Sequence, residues 1–174
     1  GAHLVDTDAI SRELSQAGGG AIEPLRRAFG DNAIGPDGAL DRQKMRELVF
    51  RDPEAKHRLE ALLHPLIGQA AARRAAQAKP GQMVVFDVPL LVESRLWRTR
   101  VDQVLVVDCA PERQVARVMQ RSGLSDEAVR AIMAQQAPRS RRLAAADVVI
   151  ANDNDTLAPL HDTLAALWAQ WHPA

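Results

Sequence analysis

Residues 1–14, GAHLVDTDAISREL, contain the pattern that decides the fold: a short apolar run, Ala2–Val5, followed by two acidic residues. A run that is apolar on both faces is typical of a parallel strand covered by helices. Asp6 and Asp8 would share a face of this strand if it continued, because side chains alternate with a period of two. Ile10 and Leu14 lie four residues apart and indicate a helix. The stretch therefore predicts a strand and a helix with an acidic junction.

The rest of the chain repeats this alternation. Three further apolar runs predict strands of the same kind: Met83–Val88, Val104–Asp108 and Val148–Ile150. Helical periodicity fills the segments between them, and the order is strand, helices, strand, strand, helices, strand, helix. This order predicts an α/β fold with a parallel sheet flanked by helices. Residues 40–80 are too helical for a simple crossover and predict a helical insertion beside the sheet.

Capping residues and prolines predict where helices begin and end. Asp41 is expected to cap a helix that extends to Phe50, and Asp52–Pro53 to start the next. That second helix is expected to end at His64–Pro65, with a further alanine-rich helix to about residue 78. Later helices are predicted from Pro111 to Gly123, after the cap Ser125, and from about Thr156 to Trp171.

Composition excludes several classes of protein. Lys plus Arg and Asp plus Glu both total 22, so the zero net charge gives no argument for nucleic acid or an anionic membrane as partner. The absence of tyrosine argues against a stacking platform for single-stranded nucleic acid. No apolar run approaches the ~18 residues of a membrane span. The lone Cys109 permits no intrachain disulfide, and a reducing, cytoplasmic setting is expected.

Polar side chains follow each predicted strand. Asp6 and Asp8 follow the first, Asp87 the second, Asp108 the third and Asn152 the fourth. Ligands of open parallel sheets bind at the carboxyl ends of the strands. Carboxylates gathered there could hold a divalent metal or accept a proton from a hydroxyl. The alternative, favoured for any single aspartate, is that each caps the following helix.

A basic segment, QQAPRSRRL at 135–143, follows the helix capped by Ser125. It contains Arg139, Arg141 and Arg142, and Arg121 lies one helix earlier, four residues after Arg117. The planar guanidinium suits phosphate. This arrangement predicts a mobile lid that closes over a nucleotide. The alternative is a solvated basic face, which is the interpretation favoured for Arg141.

Two other features are assigned structural roles. His64 has apolar neighbours, and a structural hydrogen bond is favoured over catalysis or metal binding. Gly18–Gly20 is not a phosphate-binding loop, because no Lys-Ser/Thr pair follows it.

Several motifs together resemble one enzyme family over nearly the whole chain, in the family's order and spacing. They are VDTDAISREL, LDRQKMRELVFRDPEAKHRLEALLHPLI, VVFDVPLLVES, VDQVLVVD and AQQAPRSRRLAAADVVIAN. The family is the dephospho-coenzyme A kinases. The resemblance implies a P-loop kinase fold, in which helices on both faces of a parallel sheet make three layers, with a helical substrate-binding insertion and a helical lid. The core would comprise 1–30, 81–118 and 145–174, the acceptor-binding domain 31–80 and the lid 119–144.

The resemblance also implies an activity and roles for particular residues. The reaction transfers the γ-phosphate of ATP to the ribose 3′-hydroxyl of dephospho-coenzyme A, the last step of coenzyme A biosynthesis, and requires Mg²⁺. Asp8 would be the base and Arg139 the lid arginine that neutralises charge on the transferred phosphate. The nucleotide side would include Arg121, Arg142 and Asn152, and the acceptor side Asp6, Arg12, His64, Asp87, Pro89 and Leu90. The motifs do not indicate which residues bind the metal.

One departure from the family pattern concerns the phosphate-binding loop. The family has GGIGSGKS or a similar loop before the strand that ends in the two aspartates, and these 174 residues contain no such motif. A polypeptide of these residues alone is therefore expected to lack kinase activity. Two alternatives stay open: another small nucleoside or nucleotide kinase, and a non-catalytic fragment that binds a coenzyme A precursor. The sequence does not indicate an oligomeric state.

Overall fold

The strands form two parallel pairs, one in each of two compact units. The computed structural model describes residues 1–94 and 97–171, and the units are Gly1–Pro89 (unit 1) and Leu90–Ala174 (unit 2). In unit 1, β1 (His3–Asp6) pairs with β2 (Val84–Asp87). In unit 2, β3 (Leu105–Asp108) pairs with β4 (Val148–Ala151). All four predicted strands are confirmed to within one residue at each end.

The register of unit 1 aligns the ends of its two strands. Leu4 pairs with Val85, and Asp6 pairs with Asp87 at the carboxyl end of each strand. Val5 is fully buried, as expected for a strand covered by helices. Directly after β1, the buried Thr7 donates a hydrogen bond from Oγ1 to the backbone oxygen of Asp87, 2.8 Å away. The two strand ends are thus fastened together where the acidic residues lie.

Two helices of unit 1 begin where the capping signals predict. The helices of this unit are α1 (Thr7–Leu14), α2 (Ile22–Phe29), a 3₁₀ turn (Asp31–Ala33), α3 (Arg42–Arg51) and α4 (Pro53–Ala75). Asp41 accepts a hydrogen bond from the Lys44 amide at 3.0 Å. Asp52 accepts one from the Glu54 amide at 2.9 Å, with Pro53 at the first helical position. Both predicted caps are confirmed.

The predicted helix end at His64–Pro65 is wrong. Pro65 lies inside α4, which continues for ten residues beyond it, to Ala75. Proline has no amide hydrogen for the helical bond and typically costs a helix interior about 3 kcal/mol. Here α4 contacts β1, α1, α2 and α3. This tertiary packing offsets the local cost, which the sequence pattern alone does not reveal.

Small residues let α4 approach its neighbours closely. Ala55 is fully buried and Ala71 is 1% exposed, and Gly68 is buried as well. Near the end of α4, the backbone oxygen of Arg74 lies 2.8 Å from Nε2 of His3. The helix is therefore anchored to the first strand.

Unit 2 contains α5 (Pro111–Ser122), α6 (Asp126–Ala134), α7 (Arg139–Ala144) and α8 (Ala158–Trp171). The predicted start at Pro111 and the Ser125 cap are confirmed, the serine Oγ accepting from the Ala128 amide at 3.2 Å. Gly123 ends α5 in the left-handed conformation, φ +68°, which glycine adopts without strain. Helix α7 was not predicted, because it has only six residues and no side chain caps it.

The predicted core ranges 81–118 and 145–174 include residues 95–96 and 172–174, which lie outside the described residues. Across the ranges that the structure does describe, no helix has both the length and the apolar character needed to cross a membrane.

Candidate active site

The aspartates after β1 have different environments. Strand β1 ends at Asp6, so Asp6 and Asp8 do not share a strand face. Asp6 is the N-cap of α1, and its Oδ1 accepts a hydrogen bond from the Ala9 amide at 2.8 Å. Its Oδ2 lies 3.6 Å from a guanidinium nitrogen of Arg12. Asp6 therefore has the capping role that was the alternative to a chemical one.

Asp8 lies in the first turn of α1 and is exposed. Within residues 1–94 and 97–171, its carboxylate has no hydrogen-bond or ion-pair partner. The amide dipoles of a helix N-terminus favour a negative charge at this position. The Thr7 hydroxyl bond to the Asp87 backbone fixes the residue immediately before it. Asp8 is thus an anchored carboxylate with its oxygens available.

The other residues assigned to the acceptor side are largely exposed. Asp87 is exposed and ends β2, and among the described residues a turn at 89–93 follows it rather than a helix that it could cap. Pro89 is exposed, and Leu90 at the start of unit 2 is 50% exposed. His64 is exposed on α4 and makes no side-chain hydrogen bond within the described ranges. The structural hydrogen bond expected of His64 is therefore not found there.

In unit 2, the side chain of Arg139 is bound to the carboxylate of Asp108. Nε of Arg139 lies 3.0 Å from both oxygens, and Nη2 lies 2.5 Å from Oδ2. The Asp108 side chain is only 11% exposed, whereas that of Arg139 is 48% exposed. The hydrogen bond and the positive charge of Arg139 lower the pKa of Asp108, and the same pairing raises the pKa of Arg139.

This pairing uses one edge of the guanidinium. Nε and Nη2 bind the carboxylate, and Nη1 makes no hydrogen bond in the part of the chain that the structure describes. A guanidinium has five N–H donors in a planar fork. Arg139 can therefore stay on Asp108 while its remaining donors face an anion such as a phosphate.

The backbone just before Arg139 is held by two side chains. The Ala137 amide donates to Oε1 of Glu93 at 2.6 Å, and the Ala137 oxygen accepts from Nη1 of Arg142 at 2.8 Å. Ala137 itself is 5% exposed. Arg142 therefore contributes to the position of Arg139 through the segment that precedes it.

The remaining arginines lie on the surface of unit 2. Arg121 is in the last turn of α5 and is exposed. Arg141 is exposed too, as its interpretation as a solvated residue predicts. Asn152 directly follows β4, and its amide donates to the Asp108 backbone oxygen at 2.7 Å. Asn152 and Asp108 thus lie side by side at the carboxyl ends of β4 and β3.

Sequence reasoning missed two residues that hold Arg139 and the segment before it. Asp108 was noted at a strand end, but its pairing with Arg139, 31 residues later, was not predicted. Glu93 was quoted only within the family motif VVFDVPLLVES and was given no role. Each joins segments far apart in the chain, so neither leaves a local pattern such as a cap or a helical spacing.

The described residues contain no group of three or more His, Cys, Asp or Glu side chains that could hold a metal ion. A divalent cation bound to a nucleotide can take most of its ligands from phosphate oxygens and water. Mg²⁺ commonly binds proteins in this way, through one or two carboxylates together with substrate phosphates.

Known proteins of one family are similar to this chain in sequence and in fold. The family model for dephospho-CoA kinase matches residues 1–158. The dephospho-CoA kinase of Bordetella pertussis is 55% identical over 97% of this chain and 80% of its own length. That of Burkholderia pseudomallei is 53% identical over 96% of this chain and 82% of its own.

Solved structures agree. The crystal structure of TT1252 from Thermus thermophilus superimposes with a TM-score of 0.81 at 33% identity, covering 98% of this chain and 85% of that one. The dephospho-CoA kinase from Campylobacter jejuni gives a TM-score of 0.71 at 25% identity, covering 97% of this chain and 85% of that one. The α/β fold with parallel strands flanked by helices is confirmed. The chain belongs to the dephospho-CoA kinase family.

Proposed function

We propose that Asp8 and Arg139 are the catalytic residues with which this kinase phosphorylates dephospho-CoA. Membership of the family makes the protein an ATP-dependent kinase that acts in coenzyme A biosynthesis, with dephospho-CoA as phosphate acceptor. Phosphoryl transfer needs little covalent help from the protein and depends on alignment and on stabilisation of charge. The question is therefore which side chains align the acceptor hydroxyl and which neutralise the transferred phosphoryl group.

The observation that carries the proposal is the state of Asp8. Its neighbour Asp6 is used by the helix cap, whereas Asp8 is exposed and has no partner among the residues described. A carboxylate with available oxygens can accept the hydrogen bond of the ribose 3′-hydroxyl. As that oxygen bonds to the γ-phosphorus and the bond to ADP breaks, the hydroxyl proton passes to Asp8.

Arg139 supplies the positive charge. Donors that are already oriented stabilise a transition state better than donors that must reorganise. Asp108 holds the guanidinium by Nε and Nη2, which leaves the Nη1 edge for the oxygens of the transferred phosphoryl group. Asp108 is in this view a positioning residue, and Arg139 is the residue that touches substrate.

The remaining residues are assigned to the two substrates. Arg121, Arg142 and Asn152 belong to the nucleotide side, and Asn152 offers a side-chain amide that can pair with a base. The half-buried Asp6 and the exposed residues Arg12, His64, Asp87, Pro89 and Leu90 are assigned to the acceptor. The corresponding domain division is a core of 1–30, 81–118 and 145–174, an acceptor-binding domain of 31–80 and a lid of 119–144.

The exposed carboxylates of unit 1 suit a Mg²⁺ ion that is delivered with ATP. Its chemistry is to neutralise charge on the phosphate oxygens. Asp8 and Asp87 expose hard carboxylate oxygens of the kind that complete a Mg²⁺ shell supplied mainly by phosphate and water. The use of ATP and the single cysteine favour a reducing, cytoplasmic location.

ADP release by the full-length protein tests this proposal. Release that requires dephospho-CoA, and that collapses in Asp8→Asn while dephospho-CoA still binds, supports the assigned role of Asp8. Undiminished release in Asp8→Asn contradicts it. Saturable acceptor binding without ADP release in the wild type would instead indicate a binding protein.

A further inference from the structure

One face of α5 holds the loop that follows β4. Nη1 of Arg117 donates to the backbone oxygen of Asn152 at 2.7 Å, and Nη2 donates to that of Asn154 at 2.5 Å. One guanidinium therefore bridges two carbonyls that lie two residues apart. Arg117 is half-buried, in contrast to the exposed Arg121 on the next turn.

Two further contacts join the same loop to the same helix. Oδ1 of Asp153 accepts a hydrogen bond from the Ala110 amide, 2.7 Å away at the start of α5. Arg113, one turn before Arg117, forms an ion pair with Asp155. Residues 152–155 are thus attached to α5 along its first two turns, and Arg117 makes the contacts nearest β4.

The contacts to this loop leave the side-chain amide of Asn152 unused. The backbone of Asn152 is bonded on both sides, by its amide to Asp108 and by its oxygen to Arg117. Its side-chain amide has no hydrogen bond within residues 1–94 and 97–171. An asparagine amide donates and accepts at once, which matches the hydrogen-bonding edge of adenine. The structure holds this residue by its main chain and keeps its side chain available.

We propose that Arg117 is a positioning residue for ATP: by fixing the backbone of Asn152 and Asn154, it sets the loop that receives the nucleotide base. This inference rests on the proposed assignment of Asn152 to the nucleotide side. Arg117 itself does not touch ATP, because its two terminal nitrogens donate to the loop. Loss of Arg117 should therefore weaken ATP binding and leave the binding of dephospho-CoA and the rate of the chemical step unchanged.

The test is steady-state kinetics of full-length Arg117→Gln, Arg117→Lys and Asn152→Ala, with ATP and dephospho-CoA varied separately. Arg117→Gln is expected to raise the KM for ATP about tenfold, as for loss of a charged donor, with kcat and the KM for dephospho-CoA unchanged. Arg117→Lys keeps the positive charge but cannot reach both carbonyl oxygens with a planar fork. Its KM for ATP should lie between those of the wild type and Arg117→Gln. Arg26→Gln is the matched control, since Arg26 is a half-buried arginine of unit 1 that donates to Asp31 at 2.7 Å and is assigned to neither substrate.

A double variant distinguishes the role of Arg117 from the assignment of Asn152 to the nucleotide side. If Arg117 acts through Asn152, the two KM effects are not additive in Arg117→Gln/Asn152→Ala. An ATP KM that rises in Asn152→Ala but stays at the wild-type value in both Arg117 variants overturns the inference alone. An unchanged ATP KM in Asn152→Ala overturns the nucleotide-side assignment. Equal effects of Arg117→Gln on both KM values, with a lowered melting temperature, would show a merely structural role and also overturn the inference.

Discussion

The acidic residues at the strand ends of the two units are used differently. In unit 1, Asp6 caps α1 by accepting a hydrogen bond from the Ala9 amide, and Asp8 is left exposed. In unit 2, Asp108 is nearly buried and binds an arginine 31 residues later in the chain. The first environment leaves a carboxylate ready for a substrate hydroxyl. The second environment uses a carboxylate to orient an arginine. Aspartates at the strand ends of the two units therefore differ: one offers its own negative charge, and the other positions a positive charge.

The largest effect is expected at Asp8, which tests the unit 1 side of this comparison. Asp8→Asn removes the proton acceptor and keeps the shape of the side chain. We expect kcat to fall about 1,000-fold, within the range for loss of a general base. Acceptor-dependent ADP release measures this, and binding of dephospho-CoA should stay within about twofold.

Asp6→Asn is the matched control, because asparagine also caps helices. It keeps the N-cap of α1 and should lose far less activity than Asp8→Asn. Equal losses in the two variants would mean that the two carboxylates act as one unit, and the contrast within unit 1 would fail.

Arg139 is expected to rank second. Arg139→Ala removes a preoriented donor to the transferred phosphoryl group, and we expect kcat to fall about 100-fold. Arg139→Lys keeps the charge but loses the two-nitrogen grip on Asp108, so its kcat should lie between those of alanine and arginine. Wild-type kcat in Arg139→Ala, measured by the same ADP assay, would remove Arg139 from the catalytic machinery.

How far the sequence predicts these elements depends on how local each signal is. The strands and the caps at Asp41, Asp52 and Ser125 depend on residues within a few positions, and they were predicted correctly. Helix α4 runs through Pro65 because distant elements pack against it. The bonds from Arg139 to Asp108 and from Arg117 to Asn152 span 31 and 35 residues, so no local pattern marks them. The residue types of the site were visible in the sequence, and their pairing was not.

Asp108→Asn tests the unit 2 side of the comparison. Asparagine cannot hold the guanidinium by two charged oxygens, so Arg139 should lose its orientation while keeping its charge. We expect kcat to fall about tenfold or more, as for a misaligned catalytic group. In the variant that combines Asp108→Asn with Arg139→Ala, the two losses should not add. Additive losses would show that Asp108 acts independently of Arg139.

The same pair predicts a pH dependence of stability. Its arginine lowers the folded-state pKa of Asp108 below the ordinary value of 3.8. The stabilisation is therefore fully present above that value and is lost as the pH falls through the lower folded-state pKa. The melting temperature of Asp108→Asn should lie below that of the wild type from pH 7 to about 5, and the difference should shrink below about pH 4. A difference that stays constant on acidification contradicts this role.

The smallest effect is expected at a cap of unit 1 that has no part in the chemistry. Asp52→Ala removes the acceptor of the Glu54 amide at the start of α4 and should cost about 1 kcal/mol of unfolding free energy, measured by urea titration. Asp52→Asn keeps a capping oxygen and should cost less. Neither variant should change kcat, because the cap stabilises a helix that already packs on four neighbours. A large loss of kcat in Asp52→Ala with native stability would mean that the start of α4 contacts substrate, and that the caps of unit 1 are not purely structural.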